Sequence, residues 1–231
     1  MSEKIELNNN ALDYTAAVLK GASGVVPFVG QALGELVAQI PGQRMDRFRS
    51  FLQVLDERLK NTEATVDELK KNMSKEGFFE LYEEACEQAT RTNSDDRRKY
   101  LAGIVANGLT SSEIDIQETQ FLLRVFEEVN DIELLILRLH WDIGADRDAE
   151  FRNNYKDIVI PPKVFAGCSE EIVHRASTQA SYRKHLESLG LLMGDYRLKW
   201  NETDDSTKYE ITMIGRRLLK FTGIVGSIKP N

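Results

Sequence analysis

Cysteine is nearly missing from this 231-residue chain. Cys86 and Cys168 stand far apart with no CxxC neighbour, which argues against a disulfide framework or a cysteine-based zinc site and suggests a reducing compartment. Histidine is as scarce: His140, His174 and His185 have no ligand-like pattern around them, so metal ligation is not expected. GxSxG, P-loop, HExxH and dinucleotide fingerprints are all absent, and the glycines at 21, 24 and 30 follow no strand. A non-enzymatic protein that needs no cofactor is therefore expected. An excess of positive charge is missing too. Thirty basic residues against 37 acidic ones give a formal net charge of -7, so attraction to DNA or anionic lipid would have to come from a local patch. Met1 to Asn10 shows no charged lead running into an apolar core, so no secretion signal is read and a cytoplasmic location is expected.

What is present is a globular composition, 42% hydrophobic and 29% charged, in a chain long enough for two parts. The expected fold is mainly α, with a helical bundle over 1–110 and a second domain over 111–231. Leu12, Ala16 and Leu19 mark a short helix face ahead of the segment Gly21 to Ile40, GASGVVPFVGQALGELVAQI, whose one charge is Glu35. Its length approaches a membrane span, but Pro27, four glycines, Gln31, Gln39 and Glu35 make a stable span costly. The segment reads as a buried hairpin of the bundle, its glycines permitting close helix approach. It also admits a peripheral membrane reading, in which the hairpin dips into lipid and Arg44, Arg47 and Arg49 hold anionic head groups.

Beyond Pro41, Met45, Phe48, Phe51, Leu52, Leu55 and Leu59 recur at helical spacing and need a partner, either the bundle or a second copy of the chain. Further helices are expected over Val66 to Met73, Phe78 to Ala89, and Asp95 to Leu109, the last with Ser94 as N-cap. Asp115 with Glu118 and Asn130 with Glu133 form cap pairs that open two more. Asp142 to Asp157 breaks the pattern, and Ile158 to Ile160 before Pro161-Pro162 suits a short edge strand or docked segment.

From Ser169 the order of signals is specific. Ser169 can cap a helix through Val173 and Ala176, a turn near Ser177 leads into a second helix from Gln179 to Leu189, and Gly190 closes it. Tyr196, Leu198 and Trp200 then alternate, as do Tyr209, Ile211 and Met213 after a polar loop, so the two runs can pair as a ribbon. LESLGLL (Leu186 to Leu192) and YEITMIGRRLLKF (Tyr209 to Phe221) resemble the corresponding stretches of bacterial winged-helix transcriptional regulators. That resemblance implies a winged helix whose second helix would present Thr178, Gln179, Ser181, Arg183 and Lys184 to a major groove, with Arg197 and Lys199 on the wing. The wing tip departs from the family in carrying Glu202, Asp204 and Asp205, which repel phosphate, so the partner is read as DNA or a protein. The apolar segment of the N-terminal part resembles glycine-rich hairpins of helical bacterial cell-death and abortive-infection proteins, which implies the alternative of a membrane-acting effector inserting near Pro27.

Overall fold

A computed structural model describes residues 42–62, 66–110, 115–141, 149–195 and 208–225. Among these residues the chain forms helices α1 (Gly42–Lys60), α2 (Val66–Met73), α3 (Phe78–Arg91), α4 (Asp95–Thr110), α5 (Ile116–Glu128), α6 (Asp131–Leu139), α7 (Ala149–Val159) and α8 (Glu170–Ser188). Strands β1 (Leu192–Asp195) and β2 (Lys208–Ile211) follow, then a final helix α9 (Met213–Thr222). The protein is thus mainly helical with one small antiparallel hairpin. The backbone divides into two compact units, Met1–Arg124 with Phe221–Gly223, and Val125–Lys220 with Ile224–Asn231.

In the N-terminal unit the apolar stripe of α1 goes inward. Phe48, Phe51, Leu52 and Leu55 are buried, each contributing about 2 kcal/mol of hydrophobic stabilisation. The face read as a site for self-association, Phe48 and Phe51, is therefore used inside this unit. Helix α3 buries Phe78, Leu81, Tyr82, Ala85, Cys86 and Ala89, the i, i+3, i+4 pattern of a helix lying on a core. Helix α4 is apolar nearly all round, with every residue from Leu101 to Ala106 buried, as expected of a helix surrounded by its neighbours. Glycine is required where α4 meets α5: a Cβ on Gly108 would lie 2.3 Å from Thr119 Cγ2. Ser94 accepts the Arg97 backbone amide at 3.2 Å and Asp115 that of Glu118 at 2.8 Å, so both N-caps form where the sequence places them.

The C-terminal unit opens on a complete capping box. The Asn130 side chain accepts from Glu133 N and the Glu133 carboxylate from Asn130 N, satisfying two orphan amides of α6. Residues 158–160, expected as a short edge strand or a docked segment, form no strand: they belong to or directly follow the helix α7. Phe151 turns inward on this helix under the Arg138 guanidinium, 4.2 Å from the ring centroid, and Val159 is buried at its end.

The turn expected near Ser177 does not form, and α8 runs unbroken for 19 residues. No glycine or proline interrupts it, and the hydroxyls that could have favoured a turn fold back onto their own helix, Thr178 to His174 O and Ser181 to Ser177 O, both at 3.0 Å. Ser169 stands in the N-cap position, but its hydroxyl makes no capping bond. The other end is as expected. Gly190 takes φ +71°, its amide donates to Glu187 O, and the Leu191 amide donates to Leu186 O, a Schellman closure with Leu186 and Leu191 both buried.

The ribbon exists in a different register. Leu192 lies opposite Ile211 and Gly194 opposite Tyr209, whereas the expected pairing matched Tyr209 and Ile211 with residues of the run Tyr196, Leu198 and Trp200. Those three lie outside the described residues. Met213 begins α9 instead of continuing β2, because the Thr212 hydroxyl accepts the Gly215 amide at 3.1 Å and caps the helix. The same hydroxyl donates to Gly190 O at 2.6 Å, which ties the start of α9 to the end of α8.

Candidate binding face of the C-terminal unit

Between α7 and α8 the chain turns at Phe165–Cys168. The Cys168 amide donates to Phe165 O at 3.1 Å, and Gly167 supplies the positive φ of +93° that the third position of such a turn demands. This turn carries apolar side chains outward. Phe165 is 67% exposed and Val164 54%, with Ile158, Ile160 and Val173 also exposed beside them in the sequence.

Behind the turn lies a polar joint. A helix leaves its last four carbonyls without intrahelical donors, and its C-terminus is the negative end of the macrodipole. Three side chains of α8 at successive i+4 positions meet the end of α7. Arg175 donates to Asp157 O, Gln179 Nε2 to Ile158 O, and Arg183 Nη2 to Val159 O at 2.6 Å. Arg183 Nη1 also donates to Gln179 O at 3.0 Å and to Gln179 Oε1 at 2.8 Å, which holds the amide in the orientation that the joint needs. Gln179 and Arg183 are both buried, and burial lowers the Arg183 pKa from its usual value. The joint therefore places cationic donors on a helix end that favours them and leaves none of those three carbonyls dry.

Two residues to which the sequence reading gave no part in a binding face belong to this region. Glu133, only 1% exposed, accepts from Asn130 N at 2.9 Å and lies 2.7 Å from His185 Nδ1, linking the start of α6 to the end of α8. The His140 ring stacks edge-on against Tyr209 at 6.5 Å. Burial and the neighbouring Arg183 charge push its pKa down to about 4, against the opposing effect of a bond with the Tyr209 backbone, so it is neutral at pH 7. Neither carried a local pattern beyond the capping box; Arg175 could have been found from its spacing with Gln179 and Arg183.

The residues expected to touch nucleic acid thus have different fates. Gln179 and Arg183 are committed to the joint, and reading a base edge would require them to leave it. Thr178 is half-buried and Ser181 exposed, each hydroxyl bonded to its own helix. Lys184 is exposed and paired with Glu187 at 2.9 Å, while Glu187 also accepts the Gly194 amide at 3.1 Å. Arg197 and Lys199 lie outside the described residues. The exposed charges along α8 are Glu170, Glu171, Arg175 and Lys184, two of each sign.

Of the arginines expected at a lipid surface, Arg44 is exposed, Arg47 donates to Thr90 O at 3.1 Å, and Arg49 pairs with Asp46 at 3.2 Å. The apolar segment Gly21 to Ile40 lies outside the described residues. Among the described residues no helix is long and apolar enough to cross a membrane, and no group of three His, Cys, Asp or Glu could hold a metal ion. No family model, curated protein or solved structure matches the chain.

Proposed function

We propose that this is a non-enzymatic binding protein whose C-terminal unit is a winged-helix-like module that engages a protein partner. The order α6, α7, α8, β1, β2, α9 supports that reading, with α7 and α8 as the helix-turn-helix pair and the hairpin as the wing. The observation that carries the choice of partner is the α7–α8 turn, which holds Val164 and Phe165 in solvent beside an α8 face of balanced charge. A duplex selects the opposite surface, cationic and hydrogen-bonding, because affinity comes mainly from neutralised phosphates. The two residues best suited to base readout, Gln179 and Arg183, are consumed in the joint, and the sequence between the two strands carries Glu202, Asp204 and Asp205. Exposed aromatic anchors within a polar surround are typical of protein interfaces.

A photo-crosslinking amino acid at position 165 of the full chain, activated in the native host, tests this directly. A covalent adduct with a defined protein is expected, weakened by Val164→Ser. Fluorescence anisotropy with random duplex at low salt supplies the opposing result. Binding that falls steeply with added salt and is weakened by Lys184→Glu would replace the protein partner with nucleic acid.

A further inference from the structure

An amphipathic helix buries its apolar stripe only as far as its own unit reaches. On α7, Phe151, Tyr155 and Ile158 share one face at i, i+4 and i+7. Phe151 is buried, whereas Tyr155, its ring 5.0 Å from that of Phe151, and Ile158 are exposed. On α8, Ile172, Ala176, Gln179, Arg183 and Leu186 form the matching stripe, of which the last three are buried and the first two only half-buried. From Ile160 to Thr178 no residue is buried, although this stretch holds Val164, Phe165, Ile172 and Val173. The C-terminal unit thus leaves part of two helix stripes, and the turn that joins them, without cover of its own.

Tyr155, Ile158, Ile160, Val164, Phe165 and Val173 together expose roughly 500 Å² of largely apolar surface. A stable two-protein interface covers about 800 Å² on each side, somewhat over half of it apolar, so this surface supplies about what one side of such an interface needs. Charge selects the occupant. Between Tyr155 and Thr178 the exposed Lys, Arg, Asp and Glu residues are Lys156, Lys163 and Arg175 against Asp157, Glu170 and Glu171, a local balance in a chain whose formal net charge is -7. Lys163 stands on one side of the turn at Phe165–Cys168, and Glu170 and Glu171 stand on the other. Such a surface does not select a strongly basic or strongly acidic partner. A second copy, related by a half-turn about an axis near Phe165, sets each basic flank against an acidic one. We propose that the α7–α8 turn is the self-association surface of this chain, with Phe165 of each copy at the centre and Lys163 of each facing Glu170 and Glu171 of the other. The inference rests on the reading of this turn as a protein-binding site and names the protein it binds as a second copy.

Sedimentation equilibrium of the purified full chain tests it, with a dimer of micromolar dissociation constant expected. Phe165→Asp should weaken that dimer about 30-fold or more, because a central aromatic anchor is lost from both copies at once. Its melting temperature should match the parent's, since Phe165 is exposed. Lys163→Glu alone, and Glu170→Lys with Glu171→Lys, should each weaken the dimer about 3- to 10-fold by setting like charges together. An equimolar mixture of these two charge variants should associate as tightly as the parent, because every facing pair is again opposite in sign. That rescue is the signature of a self-complementary surface, and it decides even if Phe165→Asp lowers the melting temperature. A strict monomer up to about 1 mM, a dimer indifferent to Phe165→Asp, or a mixture no tighter than its components overturns the inference. A monomeric parent whose crosslinker at position 165 captures a different protein removes the second copy and leaves the protein-partner reading standing; a monomeric parent that captures no protein removes both.

Discussion

Replacing Arg183 by methionine keeps the length of the side chain and removes the guanidinium from the α7–α8 joint. Three hydrogen bonds go with it, to Val159 O, Gln179 O and Gln179 Oε1, in a site that is only 8% exposed. Charge-assisted bonds contribute about 1.5 to 3 kcal/mol each, but the helix carbonyl of Gln179 keeps its own helical environment and the methionine recovers some apolar packing. The main loss is the stranded Val159 carbonyl and the released Gln179 amide, together about 3 kcal/mol. For a unit of roughly 100 residues that corresponds to a fall in Tm of about 12 to 24 °C. Urea or thermal unfolding followed by Trp141 fluorescence reads it in the unit concerned. Lys184→Met, one position along the helix and exposed, should stay within about 0.5 kcal/mol of the parent. If Arg183→Met melts with the parent while weakening a bound duplex, the joint is not what Arg183 is for. The contrast also decides how nucleic-acid binding is to be probed: reversing Arg183 and Lys184 together confounds loss of contact with loss of fold, whereas Lys184→Glu alone does not.

Three further substitutions test other parts of the structure. His140 has a pKa near 4 when folded against an ordinary 6.5, so the unfolded chain takes up its proton first as pH falls. Stability is then present above pH 6.5 and lost progressively down to about pH 4, by roughly 3 kcal/mol, and the difference between parent and His140→Phe in urea midpoints across that window should trace the loss. Gly108→Ala puts a methyl into fully buried Thr119 and should cost about 1 to 3 kcal/mol by thermal melt, with Thr119→Ala restoring only part of it in the double variant, since the alanine Cβ would still lie 2.9 Å away. Gly190→Ala meets no neighbouring atom, so only its left-handed backbone resists; a loss of about 1 to 2 kcal/mol is expected, and a neutral result would contradict the Schellman closure.

Helix positions were legible because their causes are local. The stripe of Phe48, Phe51, Leu52 and Leu55 and the Asn130/Glu133 cap all lie within one or two turns, and each produced the element that its spacing implies. Errors arose where two local signals competed. Ser177 and Thr178 suit either a turn or a helix whose hydroxyls fold back, and with no glycine or proline present the helix continued. Thr212 could have extended β2 or capped α9, and its hydroxyl bond to the Gly215 amide settled the matter for the cap.

The amino-acid order alone determined that this protein is mainly helical, where most of its helices begin, and where Gly190 ends one, because backbone propensity, capping and periodicity act over three or four residues. Only the tertiary structure decided what the charged and polar side chains do. Arg183 reads as a solvent-facing cation until the orphan carbonyls of a helix 24 residues away arrive beside it, and Gly103 reads as a weak point in α4 until residues from the other end of the chain lie against it. A side chain's partner is set by which backbone groups the packing leaves unsatisfied, and that is a property of distant segments brought together.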